Sequence, residues 1–305
     1  MALNKETNLS VESNALAAFW QFSRPHTIIG TSLSVWGVYA IALSQGVNSN
    51  SVLPVVGAWL ACLCGNVYIV GLNQLEDVAI DQINKPHLPL ASGEFSIGTG
   101  RLIVAVTGVL SLLLALLQSP YLLGMVAISL AIGTAYSLPP IRLKRFPFWA
   151  ALCIFTVRGA VVNLGLFLHF SSSLSIPATV WALTLFVIVF TVAIAIFKDI
   201  PDLEGDRQYQ ISTFTIALGQ ERVFNLARWV ITICYVGMAT FAVFWLSGVN
   251  TGFLVSTHLG LLGLLWWRSF QVDLQDLSAI TSFYQFIWKL FFLEYLIFPA
   301  ACLLG

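Results

Sequence analysis

Two short acidic stretches hold the residues whose types and spacing could do chemistry. The first, Asn73-Gln74-Leu75-Glu76-Asp77-Val78-Ala79-Ile80-Asp81, follows directly on an apolar run. If the helix of that run continues, Asn73, Asp77 and Asp81 fall at i, i+4 and i+8 and share one face. The second is Lys198-Asp199-Ile200-Pro201-Asp202-Leu203-Glu204-Gly205-Asp206-Arg207. Here Asp199, Asp202 and Asp206 fall at i, i+3 and i+7, although Pro201 and Gly205 predict a strained or broken helix. The pairs Asp77/Asp81 and Asp202/Asp206 share the spacing Asp-x-x-x-Asp and lie 125 residues apart, which suggests two related halves.

One such pair at the edge of an apolar segment would read as a solvated loop. Two, holding half of the chain's 14 acids between them, read as a site. Carboxylates held close together raise one another's pKa unless a cation neutralises them. A set of oxygen ligands with no paired His or Cys suits Mg²⁺ rather than zinc, and Mg²⁺ held by few carboxylates keeps positions for phosphate oxygens. The implied ligand is a diphosphate, and cations to hold it are at hand. Lys85 follows the first motif; Lys198 and Arg207 flank the second. Tyr136-Ser137-Leu138-Pro139-Pro140-Ile141-Arg142-Leu143-Lys144-Arg145 projects a basic cluster after two prolines. By composition alone that cluster could equally be an ordinary basic anchor beside a membrane.

Arg158 differs in kind, because it lies deep inside an apolar run and should face a polar cavity and a partner. Two partners are open: an anionic substrate, with Asn163 assisting, or a structural pair with Glu294. His169 reads as an interface residue, and Trp20, Trp266, Trp267 and Trp288 as an interfacial belt.

The elements that must position these groups are legible in the composition. Of 305 residues, 58% are hydrophobic and 9% charged, and mean hydropathy is +0.87, far from the quarter charged that is usual for soluble domains. The chain is read as an integral membrane protein. Its net charge of zero, 14 basic against 14 acidic residues, removes nucleic acid as a partner. Nine runs approach the roughly 20 residues a spanning helix needs, at about 25–44, 51–74, 98–118, 120–138, 147–169, 176–197, 222–246, 252–270 and 281–303. The expected fold is therefore all-α, a polytopic bundle of nine transmembrane helices. Residues 1–24 form a polar, amphipathic N-terminal segment without the features of a signal peptide, and 25–305 form the helical domain. Loops after the odd-numbered spans carry no charge, whereas the N-terminus and the even-numbered loops carry 11 of the 14 basic residues. The positive-inside rule places that charged side, and both acidic motifs, in the cytoplasm or its equivalent. Cys62, Cys64, Cys153, Cys234 and Cys302 lie in apolar runs without a zinc spacing and read as small core residues.

Extended through Gln82-Ile83-Asn84-Lys85-Pro86-His87-Leu88-Pro89-Leu90-Ala91-Ser92-Gly93, the first motif resembles the signature of the intramembrane aromatic prenyltransferases of the UbiA superfamily. Together with Lys198 to Asp206 and with Phe22-Ser23-Arg24-Pro25-His26-Thr27, it is most similar to the homogentisate phytyltransferases of cyanobacteria and plastids. The resemblance runs from about Phe19 to the C-terminus. It implies a first metal motif of Asn73, Asp77 and Asp81 and a second of Asp202 and Asp206, with Asp199 as an additional acid; it gives Glu76 no role. It also implies a cofactor, Mg²⁺, as two ions. The implied donor is phytyl diphosphate or a similar prenyl diphosphate, and the implied acceptor homogentisate. The implied reaction loses CO₂ and diphosphate and yields 2-methyl-6-phytyl-benzoquinol, a tocopherol precursor, in a thylakoid or plasma membrane. Lys85, Arg142, Lys144, Lys198 and Arg207 would bind diphosphate, and Tyr136, Arg158 and Asn163 would line the donor or acceptor pocket. Two alternatives keep the machinery: a solanesyl or geranylgeranyl donor for plastoquinone, or chlorophyllide as the acceptor, as in chlorophyll synthase. A third, a cation-dependent transporter, fits less well, because transporter sites lie near the bilayer midplane at broken helices.

Overall fold

The computed structural model describes residues 15–47, 51–208 and 213–305, and all regular structure among them is helical. In chain order the helices are α1 (15–22), α2 (Pro25–Ser44), α3 (Leu53–Glu76), α4 (Val78–Asn84), α5 (Pro89–Ser92), α6 (Ile97–Leu116), α7 (Pro120–Ser137) and α8 (Pro147–Phe155). A π-helical segment, Thr156–Val161, joins α8 to α9 (Val162–Ser171). There follow α10 (Ala178–Phe197), α11 (Leu203–Gln208), α12 (Phe214–Leu218), α13 (Gln220–Phe244), α14 (Thr251–Ser269) and α15 (Leu277–Leu303).

The helix starts follow from local chemistry. Pro25, Pro120 and Pro147 occupy first-turn positions, where a missing N–H costs nothing. The side chains of Ser96, Ser119, Asn250 and Asp276 accept hydrogen bonds from the first-turn amides of α6, α7, α14 and α15. All nine expected runs are helical, and eight of them are long and apolar enough to cross a membrane. This is a multi-pass integral membrane protein. The other run, α14, is 19 residues long and less apolar, with His258 and Arg268 in it.

Neighbouring helices pack in a ring: α2 on α3, α3 on α6 and α7, α7 on α9, the α8–α9 run on α10, then α10, α13, α14 and α15 in turn, with α15 closing on α2. Burial of apolar surface drives little association in lipid, so the contacts depend on close approach and interhelical hydrogen bonds. A Cβ on Gly108 would lie 2.6 Å from Cδ2 of Tyr68, so only glycine lets α6 approach α3 there. The Tyr68 hydroxyl meets that of Thr134 at 2.7 Å, and Ser111 Oγ donates to the Ala61 carbonyl at 2.7 Å. The later half is filled by aromatic rings: Phe186, Phe190, Tyr235 and Phe291 stand 5.6–6.2 Å apart between ring centroids. A cavity lies within the earlier half.

Two local expectations change. Helix α3 does not run on through the first motif. It ends at Glu76, and Asp77, at φ −114° and ψ 15°, separates it from α4. In the second motif α10 stops at Phe197 and the chain turns through Lys198–Asp202, as Pro201 suggests, but α11 then passes through Gly205 as helix.

Candidate active site

The two acidic motifs meet at one end of the bundle, where Lys85 Nζ lies 2.6 Å from Oδ2 of Asp202 and ties α4 to the turn after α10. Asp77 is held from three sides. Asn73 Nδ2 and Lys144 Nζ donate to its Oδ2 at 3.0 and 2.7 Å, and Arg142 donates to Oδ1 at 3.2 Å and to the Glu76 carbonyl at 3.3 Å. The basic turn after α7 thus closes over the break between α3 and α4. Arg24, just before α2, approaches Asp81 at 3.7 Å, and Lys198 approaches Asp199 at 3.9 Å.

Burial sets the electrostatics of these groups. Asp81 is 5% exposed, and its carboxyl is pushed above the usual range by burial; Asp77 and Asp202 add to the effect, while Arg24 and Lys85 oppose it. Its Oδ2 is buried without a hydrogen-bond partner. Asp199 is pushed up to about 6 by burial, with Asp202 adding to the shift and Lys198 and Lys85 opposing it. Burial draws Lys144 down despite Asp77 beside it. A buried oxygen without a donor, among carboxylates that destabilise one another's charge, fits a hard divalent cation.

These groups line a cavity of about 1260 Å³. Among its described lining residues seven Lys and Arg side chains face four carboxylates, a surplus of three positive charges. Metal-binding acids alone would not require that surplus; a polyanion between the cations would. A second cavity of about 260 Å³ lies further into the bundle, lined by Thr27, Thr31, Asn66, Ser129 and Arg158 among others. Arg24, Asn73, Tyr136 and Ile154 line both and form the neck between them.

The structure therefore gathers Asn73, Asp77, Asp81, Asp199, Asp202, Lys85, Arg142, Lys144, Lys198 and Tyr136 around one space. Arg207 is exposed on α11 and does not line it. The side chain of Asp206 lies outside the described residues. Asn163 is fully buried away from both cavities, donating to the Gly159 carbonyl at 2.8 Å and accepting from the Tyr295 hydroxyl at 2.9 Å, so it serves packing. Glu294 does not pair with Arg158, because His258 takes it at 3.1 Å. Trp288 does not belong to an interfacial belt: it is 6% exposed, and the Arg158 guanidinium lies 5.1 Å from its ring centroid. His169 is likewise buried, within 2.8 Å of Ser119 Oγ. Cys153, Cys234 and Cys302 are buried core residues, whereas Cys62 and Cys64 are half-buried, and Cys62 and Cys153 line the inner cavity.

Sequence reasoning missed Arg24, His26, Tyr284 and Lys289, which also line the mouth, as does Arg145 of the basic cluster. Arg24 and His26 were visible in the Phe-Ser-Arg-Pro-His-Thr stretch. Lys289, four residues before Leu293 in an apolar run, carried the same warning as Arg158.

The helical bundle has a fold already seen in solved structures. The fold matches that of a UbiA homologue from Archaeoglobus fulgidus, bound to GPP and Mg²⁺, with a TM-score of 0.66 at 18% identity, covering 94% of this chain and all of that one. Residues 32–290 match the UbiA prenyltransferase family model, and the chain belongs to that family. Among curated proteins it is 59% identical over 294 residues to the homogentisate phytyltransferase of Synechocystis, covering 94% of this chain and 96% of that protein. It is 41% identical to the chloroplastic homogentisate phytyltransferase 1 of Arabidopsis thaliana, covering 94% of this chain and 75% of that one.

Proposed function

We propose that this protein transfers a phytyl group from phytyl diphosphate to homogentisate, releasing CO₂ and diphosphate and leaving 2-methyl-6-phytyl-benzoquinol. The observation that carries the reading is the mouth cavity, with two facing acidic motifs, a surplus of cations and an apolar bundle beneath; the 59% identity to a homogentisate phytyltransferase supports the choice of substrates. Asn73, Asp77, Asp81, Asp199 and Asp202, with Asp206, would hold two Mg²⁺ ions. Bound Mg²⁺ supplies charge neutralisation of the departing diphosphate.

The rest belongs to the chain. Lys85, Arg142, Lys144 and Lys198, joined by Arg24, Arg145 and Lys289, orient the diphosphate and stabilise its charge as the allylic C–O bond opens. Each of the first three sits on an acid, so a change of partner, acid to metal and base to diphosphate, strands no charge. Tyr136 and Asn73 line both cavities at the neck, where the reacting carbon would lie. The apolar walls keep out water that would otherwise capture the cation. In this reading 25–305 is the catalytic domain, α14 is the ninth crossing, and the mouth faces the cytoplasmic side of a thylakoid or plasma membrane, where the basic loops lie.

The test is an assay of purified protein with homogentisate and a panel of phytyl, geranylgeranyl and solanesyl diphosphates. The phytyl donor should give the highest kcat/KM, with Mg²⁺ required, Mn²⁺ tolerated and Zn²⁺ a poor substitute. Full activity after exhaustive chelation, or a preference for the solanesyl donor, would overturn the assignment. A pH dependence follows from Asp199. Its carboxyl is held up at about 6, so below that pH the folded protein carries a proton there, and a cation must displace it. Lowering the pH from about 7.5 to about 5.5 should raise the Mg²⁺ concentration for half-maximal rate at least about three-fold; an unchanged requirement across that interval contradicts a metal role for Asp199.

A further inference from the structure

Arg158 is a cation without a counter-charge. Among the described residues no ion pair or hydrogen bond engages its guanidinium, and the acid that might have answered it, Glu294, is committed to His258. Its neighbours are aromatic: the guanidinium carbon lies 5.1 Å from the ring centroid of Trp288 and 5.6 Å from that of Phe291. Inside a membrane-spanning run an unpaired charge is expensive and marks a missing partner.

The backbone around it is irregular in a way that serves the side chain. The run from Pro147 to Ser171 is α-helical except for Thr156–Val161, a π-helical turn with Arg158 in its middle. Such turns are uncommon and concentrate at functional sites, because the wider turn re-aims the residues on it. Across from it α2 presents Gly30. A Cβ there would stand 3.2 Å from Nη1 of Arg158 and 3.2 Å from Cε1 of Phe292, so glycine leaves the guanidinium its slot.

The space Arg158 faces is the inner cavity. Its volume of about 260 Å³ is at the small end for ligand sites, enough for one ring with short substituents. Thr27, Thr31, Asn66 and Ser129 supply neutral hydrogen-bonding groups on its walls, and its neck opens at Asn73 and Tyr136 onto the mouth. A ring with its carboxylate against Arg158, one turn beyond Ile154 of the neck, would sit in this space.

We propose that Arg158 reads the carboxylate of the acceptor, so that the enzyme selects a single-ring aromatic acid over a neutral quinol or a large macrocycle. With Trp288 and Phe291 against the guanidinium, its remaining N–H groups form a planar fork for two carboxylate oxygens, which a lysine cannot reproduce. The inference rests on the proposed function for the identity of the acceptor, but it concerns recognition and not turnover.

It is tested by equilibrium binding of homogentisate and of homogentisate methyl ester to the full-length protein in detergent, with Mg²⁺ and inorganic diphosphate present and no prenyl donor. Wild type should bind the acid at least about ten-fold more tightly than the ester, as a charge-assisted bidentate contact requires. Arg158→Gln should bring that ratio close to one by weakening the acid alone, with affinity for the ester and KM for phytyl diphosphate unchanged. An acid preference that survives in Arg158→Gln, or its absence in wild type, overturns the proposal. If Arg158→Gln does not fold, Arg158→Lys decides: a ratio reduced at least about three-fold supports the fork, and equal weakening of acid and ester with a lower Tm assigns Arg158 to packing and overturns it. Absence of phytyl transfer beside an intact, Arg158-dependent acid preference would sink the substrate assignment and leave this one standing.

Discussion

Asp77→Ala and Asp202→Ala should each lower the rate of prenyl transfer by at least about 10²-fold while the protein remains folded, a loss of the size seen when one preorganised electrostatic group is deleted from an active site. Both carboxylates touch only the ends of Lys and Arg side chains and an amide, in pairs open to the mouth cavity. The Lys85–Asp202 pair is partly open to water and contributes about 0–1 kcal/mol, so thermal unfolding of Asp202→Ala should move little. Asp77 and Lys144 are 14% and 11% exposed, and Asp77→Ala lowers Tm further without unfolding the protein. Catalysis is different, because each alanine removes a negative charge and leaves its basic partners facing one another. Lys85 loses its acid in Asp202→Ala; Arg142 and Lys144 lose theirs in Asp77→Ala. The cation surplus of the mouth then rises, and diphosphate binding without metal should tighten even as turnover collapses. That divergence separates a metal-holding acid from a structural one. More than about a tenth of wild-type activity in either variant would refute the metal assignment.

Most of the architecture was legible because a bilayer leaves so few choices. Each apolar run of about 20 residues had to become a helix, and the runs expected from 25 and 120 begin at Pro25 and Pro120. The meeting of the two acidic motifs was legible from their common spacing and common side of the membrane. Their local geometry was not. Spacing treated Asp77 as one position on a continuous helix, but Asp77 ends α3, and although it is the cap residue of α4 its side chain makes no cap. The carboxylate is already taken by Asn73, Arg142 and Lys144. Two of those three partners lie on a loop more than sixty residues away, and no local rule contains them.

Depth misled in the other direction. A tryptophan near the end of an apolar run suggests an interfacial belt, yet Trp288 turns inward and forms the aromatic wall beside Arg158. The pattern of hydropathy records how far a residue lies along the membrane normal and says little about which way it faces, because on a bundle helix both faces are apolar. Charge pairing failed for a related reason. Glu294 was one of two partners open to Arg158 because both are charged in the interior, whereas His258, which takes Glu294, lies in another apolar run.

The consequence is a second large effect, on stability. Glu294→Leu should destabilise the protein by about 3–5 kcal/mol, the cost of removing one partner from a buried pair, and His258→Leu should restore part of that loss. Both side chains are fully buried between α14 and α15, with Phe186 and Tyr235 packed on the imidazole. His258 Nδ1 lies 2.8 Å from the Leu254 carbonyl, which can only accept, so Nδ1 carries a proton. Nε2 and the Glu294 Oε2 then face each other at 3.1 Å, each the nearest polar answer to the other in an apolar surround. Remove the glutamate and the imidazole is left with an unanswered polar atom among aromatic rings; remove both and the remaining gap is apolar throughout. Unfolding of the two single variants and the double variant in the same detergent measures the coupling directly. The double variant should be more stable than Glu294→Leu alone. If the two single losses simply add, the pair is not the unit that holds α14 to α15.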